Sequence, residues 1–132
     1  MKVAIANPDH APYGKAAKQA LEKSGVWSAI EKKVVYGENV QQAFQFAQSG
    51  NAEVAIIALS LATVSGGNMA PIDPSLHEPL RQGIVVCHGA PGTNNQGDAK
   101  KFEAFVMSDE GRGIMRRYGF FLPGEEPPTS RR

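Results

Sequence analysis

At 132 residues the chain has the length of one domain with a sizeable core. Its 42% hydrophobic and 20% charged content is ordinary for a globular protein, and a formal net charge of +1 offers no electrostatic case for nucleic acid or an acidic membrane surface. No apolar run approaches the roughly 20 residues of a membrane helix, and a single cysteine, Cys87, excludes an internal disulfide.

Met1-Lys2-Val3 leads directly into a strand pattern with no signal peptide ahead of it, so the sequence reads as cytosolic or as missing an upstream segment. Val3–Ala6 is a short continuous apolar run, the signature of a strand covered on both faces. After the turn Asn7-Pro8-Asp9-His10-Ala11, Pro12 suits the first turn of a helix, where a missing N–H costs nothing. Ala16, Ala17, Ala20 and Leu21 form the apolar stripe of that helix and Gly25 ends it. Val26–Ile30 reads as a short helical turn with Trp27 as a core anchor.

Lys33–Tyr36 is a second strand, followed by Gly37-Glu38-Asn39 and a helix from Val40 with Val40, Ala43, Phe44 and Ala47 on one face. Asn39 is its expected N-cap and Gly50 its end. Val54–Leu59 is the most apolar run and the expected central strand. Ser60–Pro79 reads as a long surface excursion, Arg81–Cys87 as a fourth strand with Cys87 buried, and Gly89–Gly97 as a loop. Asp98 is the expected cap of a helix bearing Phe102, Phe105 and Val106. Ser108-Asp109-Glu110 starts another, carrying Ile114, Met115 and Tyr118 to Gly119, and residues 125–132 read as a loose tail.

Strand, helix, strand, helix, strand is the pattern of a parallel α/β sheet, which binds ligands at the carboxyl ends of its strands. The helix starts at Tyr13 and Val40 both fall on that edge. Their first N–H groups and the positive end of each helix dipole make a place for an anion, with Pro12, Gly14 and Asn39 in support. Gly14 is read as leaving the approach open. Chemistry of other kinds is absent. His10, His77 and His88 are scattered and none has metal-ligand spacing, so no metal site is expected. No phosphate-loop, dinucleotide or nucleophile-elbow motif occurs, Lys32-Lys33 and Arg116-Arg117 are too short for a nucleic-acid patch, and no catalytic set can be assembled.

The stretch Ile5–Ala17, with Val35–Ala43, Gly50–Glu53 and the Phe102–Phe105, Ser108–Glu110 and Tyr118–Phe120 segments, resembles the molybdate-binding proteins of bacterial ABC transporters. The resemblance implies a lobe of the type II periplasmic binding protein fold, α/β with a parallel sheet in three layers, and a non-enzymatic role. It implies a tetrahedral oxyanion ligand, molybdate or tungstate, held here by the backbone amides of Tyr13 and Val40 without a cofactor. A tyrosine found on the third strand of some relatives is Ala58 in this chain. The implied partner is the membrane permease, and the implied location is periplasmic or otherwise extracytoplasmic. Matched to that family, residues 1–82 read as the second lobe, 83–124 as a crossover strand and helices that would pack on a first lobe, and 125–132 as a tail. The chain then lacks the first lobe and the signal peptide, which leaves the apolar sides of the helices at Phe102–Tyr118 to pack on the remaining lobe, to pair with another copy or to stay exposed; pairing into a homodimer is the expectation. An oxyanion-sensing domain of a regulator, or a lobe that folds and binds nothing, are the other readings.

Overall fold

A computed structural model of the chain describes residues 1–87 and 96–125. The chain divides into two compact units, the first Met1–Leu80 and the second beginning at Arg81.

In the first unit, β1 (Val3–Ala6) is paired in parallel on both sides, and the strand order is β2-β1-β3 with β2 at Val34–Gly37 and β3 at Val54–Ala55. Every residue of β1 is buried. Alternate side chains leave it in opposite directions, so each face carries its own core. On one face Val3 and Ile5 pack with Ala17 of α1 (Pro12–Lys23), joined by Trp27, Ile30, Val34 and Ile56. On the other, Ala4 packs with Ala43 of α3 (Val40–Gln48) and with Ala52, joined by Phe46, Ala55 and Ile57. Helix, sheet and helix are therefore three layers, as expected of an α/β lobe with a parallel sheet. Among the described residues Ile5 is the one large side chain that is fully buried, and alanines supply most of the remaining core. Small residues bring the helix axes close to the strands, which matters for the site.

Several expectations are corrected. The central strand is β1, not the more apolar Val54–Leu59 run, whose ladder is confined to Val54–Ala55 and the Ile56 N–H bond to Ala4 O at 2.9 Å. Val54 is 44% exposed because it lies on an edge strand. Hydrophobicity ranks burial poorly here, since Ala-rich β1 is buried between two helices while Val54 stays exposed. The Ser60–Pro79 excursion contains a helix, α4 (Leu59–Ser65), ended by Gly66 in the left-handed conformation at φ 68°, and a 3-10 turn at Pro74–Leu76. Phe46, absent from the expected face of α3, packs on the core beside Ala43. Trp27, in the short α2 (Trp27–Ile30), is a core anchor as read, with Lys18 Nζ 5.4 Å from its ring centroid.

In the second unit, Arg81–Cys87 is not a strand, because no neighbouring strand among the described residues takes up its backbone groups. Cys87 is exposed rather than buried. α5 spans Gln96–Met107, three residues earlier than an Asp98 cap allows; Asp98 lies in its first turn and pairs with Lys101 at 3.0 Å. α6 (Asp109–Arg117) is capped by Ser108, whose hydroxyl accepts from Gly111 N at 3.2 Å. A Cβ on Gly111 would collide with the Phe105 carbonyl and lie 2.7 Å from that of Val106, so glycine permits the tight turn between α5 and α6. Glu125 closes the unit by accepting from Arg116 at 2.7 Å and from Leu122 N at 3.0 Å. His88 and the loop residues 89–95, and the tail from 126 onward, lie outside the described residues.

Candidate functional site

Adjacent parallel strands β1 and β2 end together, with Ala6 opposite Gly37. The ladder runs one residue further, Asn7 N donating to Gly37 O at 2.7 Å. From this shared edge each strand turns into a helix, β1 into α1 and β2 into α3. The two connections are built differently and each is determined locally.

The first connection is a tight turn organised by Asn7. Its Oδ1 accepts from Asp9 N at 3.0 Å and its carbonyl accepts from Ala11 N at 2.9 Å. Pro12 then occupies the first position of α1, as expected, and Tyr13 and Gly14 complete a first turn whose N–H groups point out of the helix end. Gly14 has a different role from the one read in the sequence. It is buried, and a Cβ there would collide with the Ala6 carbonyl oxygen and lie 2.8 Å from the Asn7 carbonyl carbon. The space beside Gly14 is filled by the strand's own backbone, and its lack of a side chain lets α1 start directly against β1.

The second connection is capped reciprocally. Asn39 Oδ1 accepts from Gln42 N at 2.9 Å, as an N-cap should, and Gln42 Oε1 accepts from Glu38 N at 2.6 Å. Val40 is the first residue of α3, half-buried, with its N–H directed out of the helix. Gly37 repeats the logic of Gly14: a Cβ on it would lie 2.7 Å from Ala43 N and 3.1 Å from Asn39 O. Both strand–helix joints thus use a glycine to press a helix start onto the strand edge. Sequence reading found Asn39 and missed Gln42, although the Asn39-x-x-Gln42 spacing is itself a capping signal.

The structure brings Pro12, Tyr13 and Gly14 on one side, and Asn39 and Val40 on the other, to one edge of the sheet. Two aligned helix dipoles direct positive potential there, each equivalent to roughly half a charge. A side chain links the two connections: His10 Nε2 lies 3.0 Å from Glu38 O and 3.5 Å from Glu38 Oε2. Lys15, at the base of α1, pairs with Glu78 at 3.6 Å, and Gln19 accepts from Glu78 N at 3.0 Å. The hydrogen bond from Gln19 and the nearby Lys15 hold the Glu78 carboxyl below the ordinary carboxylate range. Ala58, buried, lies three residues past β3, immediately before α4, and offers no hydroxyl. Among the described residues no group of three His, Cys, Asp or Glu side chains is placed to hold a metal ion, and no helix is long and apolar enough to cross a membrane.

Comparison with known proteins gives the same family as the motifs. The model of the bacterial extracellular solute-binding protein family matches residues 1–121. The chain is 35% identical over 119 residues to the molybdate-binding protein ModA of Rhodobacter capsulatus, covering 89% of this chain and 46% of that protein. It is 35% identical over 124 residues to ModA of Azotobacter vinelandii, covering 91% of this chain and 48% of the relative. The structure of the periplasmic molybdate-binding protein of Azotobacter vinelandii superposes with a TM-score of 0.75 at 26% identity, over 92% of this chain and 54% of that one. The substrate-binding domain of a molybdenum ABC transporter protein from Clostridium difficile superposes with a TM-score of 0.60 at 25% identity, over 89% of this chain and 51% of that one. The chain spans about half the length of the curated relatives it matches. The family is one of solute-binding proteins and not of enzymes, and the two helix starts at one sheet edge suit that role. The chain belongs to the bacterial extracellular solute-binding protein family.

Proposed function

We propose that the Met1–Leu80 unit is one lobe of a receptor for a tetrahedral oxyanion, molybdate or tungstate, that serves an ABC-type importer outside the cytoplasmic membrane. The backbone amides of Tyr13 and Val40 are its donors, with Pro12, Gly14 and Asn39 fixing the helix starts that present them. The observation that carries the reading is the pairing of Ala6 with Gly37, which sets two α-helix N-termini side by side at one strand edge. The naming of the Rhodobacter and Azotobacter relatives as molybdate-binding supports the choice of ion. Neutral amide donors and helix dipoles stabilise a buried anion without a counter-charge that would also attract unrelated anions.

Because the chain spans about half of those relatives, it supplies part of a donor set. Each hydrogen bond to a charged ligand contributes about 1.5–3 kcal/mol, so the isolated lobe binds more weakly than a closed two-lobed receptor by orders of magnitude. Residues 1–82 act as the lobe, and 83–124 as the connection and the helices that pack on a first lobe. In the second unit, Phe102 is 60% exposed and Phe105, Ile114 and Tyr118 are exposed with it. A second copy of the chain covers this apolar surface when no other lobe does. The partner downstream is the membrane permease of the importer.

Isothermal titration of the chain with molybdate, tungstate and sulfate tests the ion and the site, with Val40→Pro as the diagnostic variant. Proline is accepted at the first position of a helix, and Asn39 before it is already extended at φ −150° and ψ 174°, so the fold tolerates the change while one donor is lost. Saturable heat with molybdate and tungstate, abolished in the variant, is expected. Equal binding by wild type and variant removes Val40 from the site.

A further inference from the structure

The two connections that present Tyr13 and Val40 belong to different strand–helix units, 28 residues apart at their point of contact. Their backbones meet through the sheet as far as Asn7 and Gly37, and beyond that point each loop is organised by its own caps. His10 crosses the gap. Its Nε2 lies 3.0 Å from the carbonyl oxygen of Glu38, the residue immediately before the α3 N-cap. A carbonyl only accepts, so Nε2 carries the proton and donates; both the neutral Nε2–H tautomer and the imidazolium do this.

We propose that His10 is a positioning residue, a clamp that fixes the separation of the two helix starts so that both sets of amides address one small anion. This deepens the oxyanion reading and rests on it for the identity of the ligand, but the clamp itself is a property of the unliganded chain. The anchor is the Glu38 backbone, whereas the Glu38 carboxylate is 3.5 Å away on an exposed side chain. The side chain at position 38 is therefore dispensable and the imidazole is not. A tetrahedral ion accepts from donors on both loops only within a narrow range of distances, and a misplacement of a few tenths of an ångström weakens hydrogen bonds on one side or the other.

The test uses the full chain labelled with 15N, in three variants: His10→Ala, His10→Gln and Glu38→Ala. Glutamine places an amide N–H where the imidazole Nε2–H lies, so it retains the bond; Glu38→Ala removes the carboxylate and keeps the carbonyl. Backbone order parameters are measured for Asp9–Ala11 and Tyr13 and for Glu38–Gln41 without anion, and the same amide signals are then followed during titration with sodium tungstate. His10→Ala is expected to lower the order of both loops together, leave the thermal midpoint unchanged, and weaken tungstate about three- to tenfold, the range of one lost hydrogen bond. His10→Gln and Glu38→Ala are expected to behave as wild type. Loss of order confined to the His10 loop, no loss at all, or a glutamine variant as loose as alanine overturns the clamp. If tungstate moves no amide of the wild-type chain, the oxyanion reading falls on its own, and the order parameters still decide the clamp.

Discussion

Replacing Gly14 by alanine adds one methyl group where the structure has no room for it. The new Cβ would collide with the Ala6 carbonyl oxygen and sit 2.6 Å from its carbon and 2.8 Å from the carbonyl carbon of Asn7, against 3.4 Å for ordinary contact. These are backbone atoms of the central strand and of the turn that follows it, hydrogen-bonded to β2 through Asn7 N and Gly37 O, so they cannot swing aside as a side chain does. Relief requires α1 to lift off the sheet by several tenths of an ångström, parting Ala17 from Val3 and Ile5. Overpacking of a close-packed interior costs about 1–3 kcal/mol, and this case belongs at the upper end because the obstacle is rigid on two sides. For a unit of this size each kcal/mol moves the thermal midpoint by about 4–8 °C. Gly113, inside α6, is the internal control: nothing lies within 4 Å of its Cβ position. There alanine improves helix propensity by about 0.8–1 kcal/mol. Thermal and urea unfolding followed by far-UV circular dichroism should show Gly14→Ala destabilised and Gly113→Ala stabilised. An unchanged midpoint in Gly14→Ala refutes the close-approach argument and, with it, the claim that α1 starts directly on the strand edge.

Val40→Pro should remove the oxyanion heat in titration while leaving the circular-dichroism spectrum intact, and retained binding excludes Val40 as a donor. In the second unit, the Leu122 N–H bond first, then the Arg116 and Arg112 charges, hold the Glu125 carboxyl below its ordinary range. A depressed folded value means that its contribution is present above the unfolded carboxylate pKa and lost as pH falls through the folded one. The turn after α6 should therefore loosen on acidification below the usual carboxylate range, seen as faster amide exchange at Leu122, and Glu125→Gln should show that exchange already at neutral pH. Light scattering at high protein concentration should give the mass of a dimer formed through the exposed face around Phe102 and Phe105; a monomeric mass counts against it.

Much of the first unit was legible in sequence because its signals are local. Pro12 at the first helical position, Asn39 as N-cap, and Gly25 and Gly50 after their helices at φ 75° and 74° are each fixed by backbone chemistry within a few residues. The order β1, α1, β2, α3, β3 follows from the alternation of apolar runs with helical periodicity, and a parallel sheet follows from that order. So does the meeting of two helix starts at one edge, since every strand of such a sheet ends on the same side. Tertiary structure decided what depends on neighbours distant in sequence. Val54–Leu59 is the more apolar run, but β1 is the strand that two helices cover, and an edge position shortened the third strand to Val54–Ala55. Arg81–Cys87 has the composition of a strand, yet a strand exists only where another takes up its hydrogen bonds. The roles of Gly14 and Gly37 as points of contact, and of His10 as the bridge to Glu38, were equally out of reach, because a residue type carries no record of the backbone that will be folded against it.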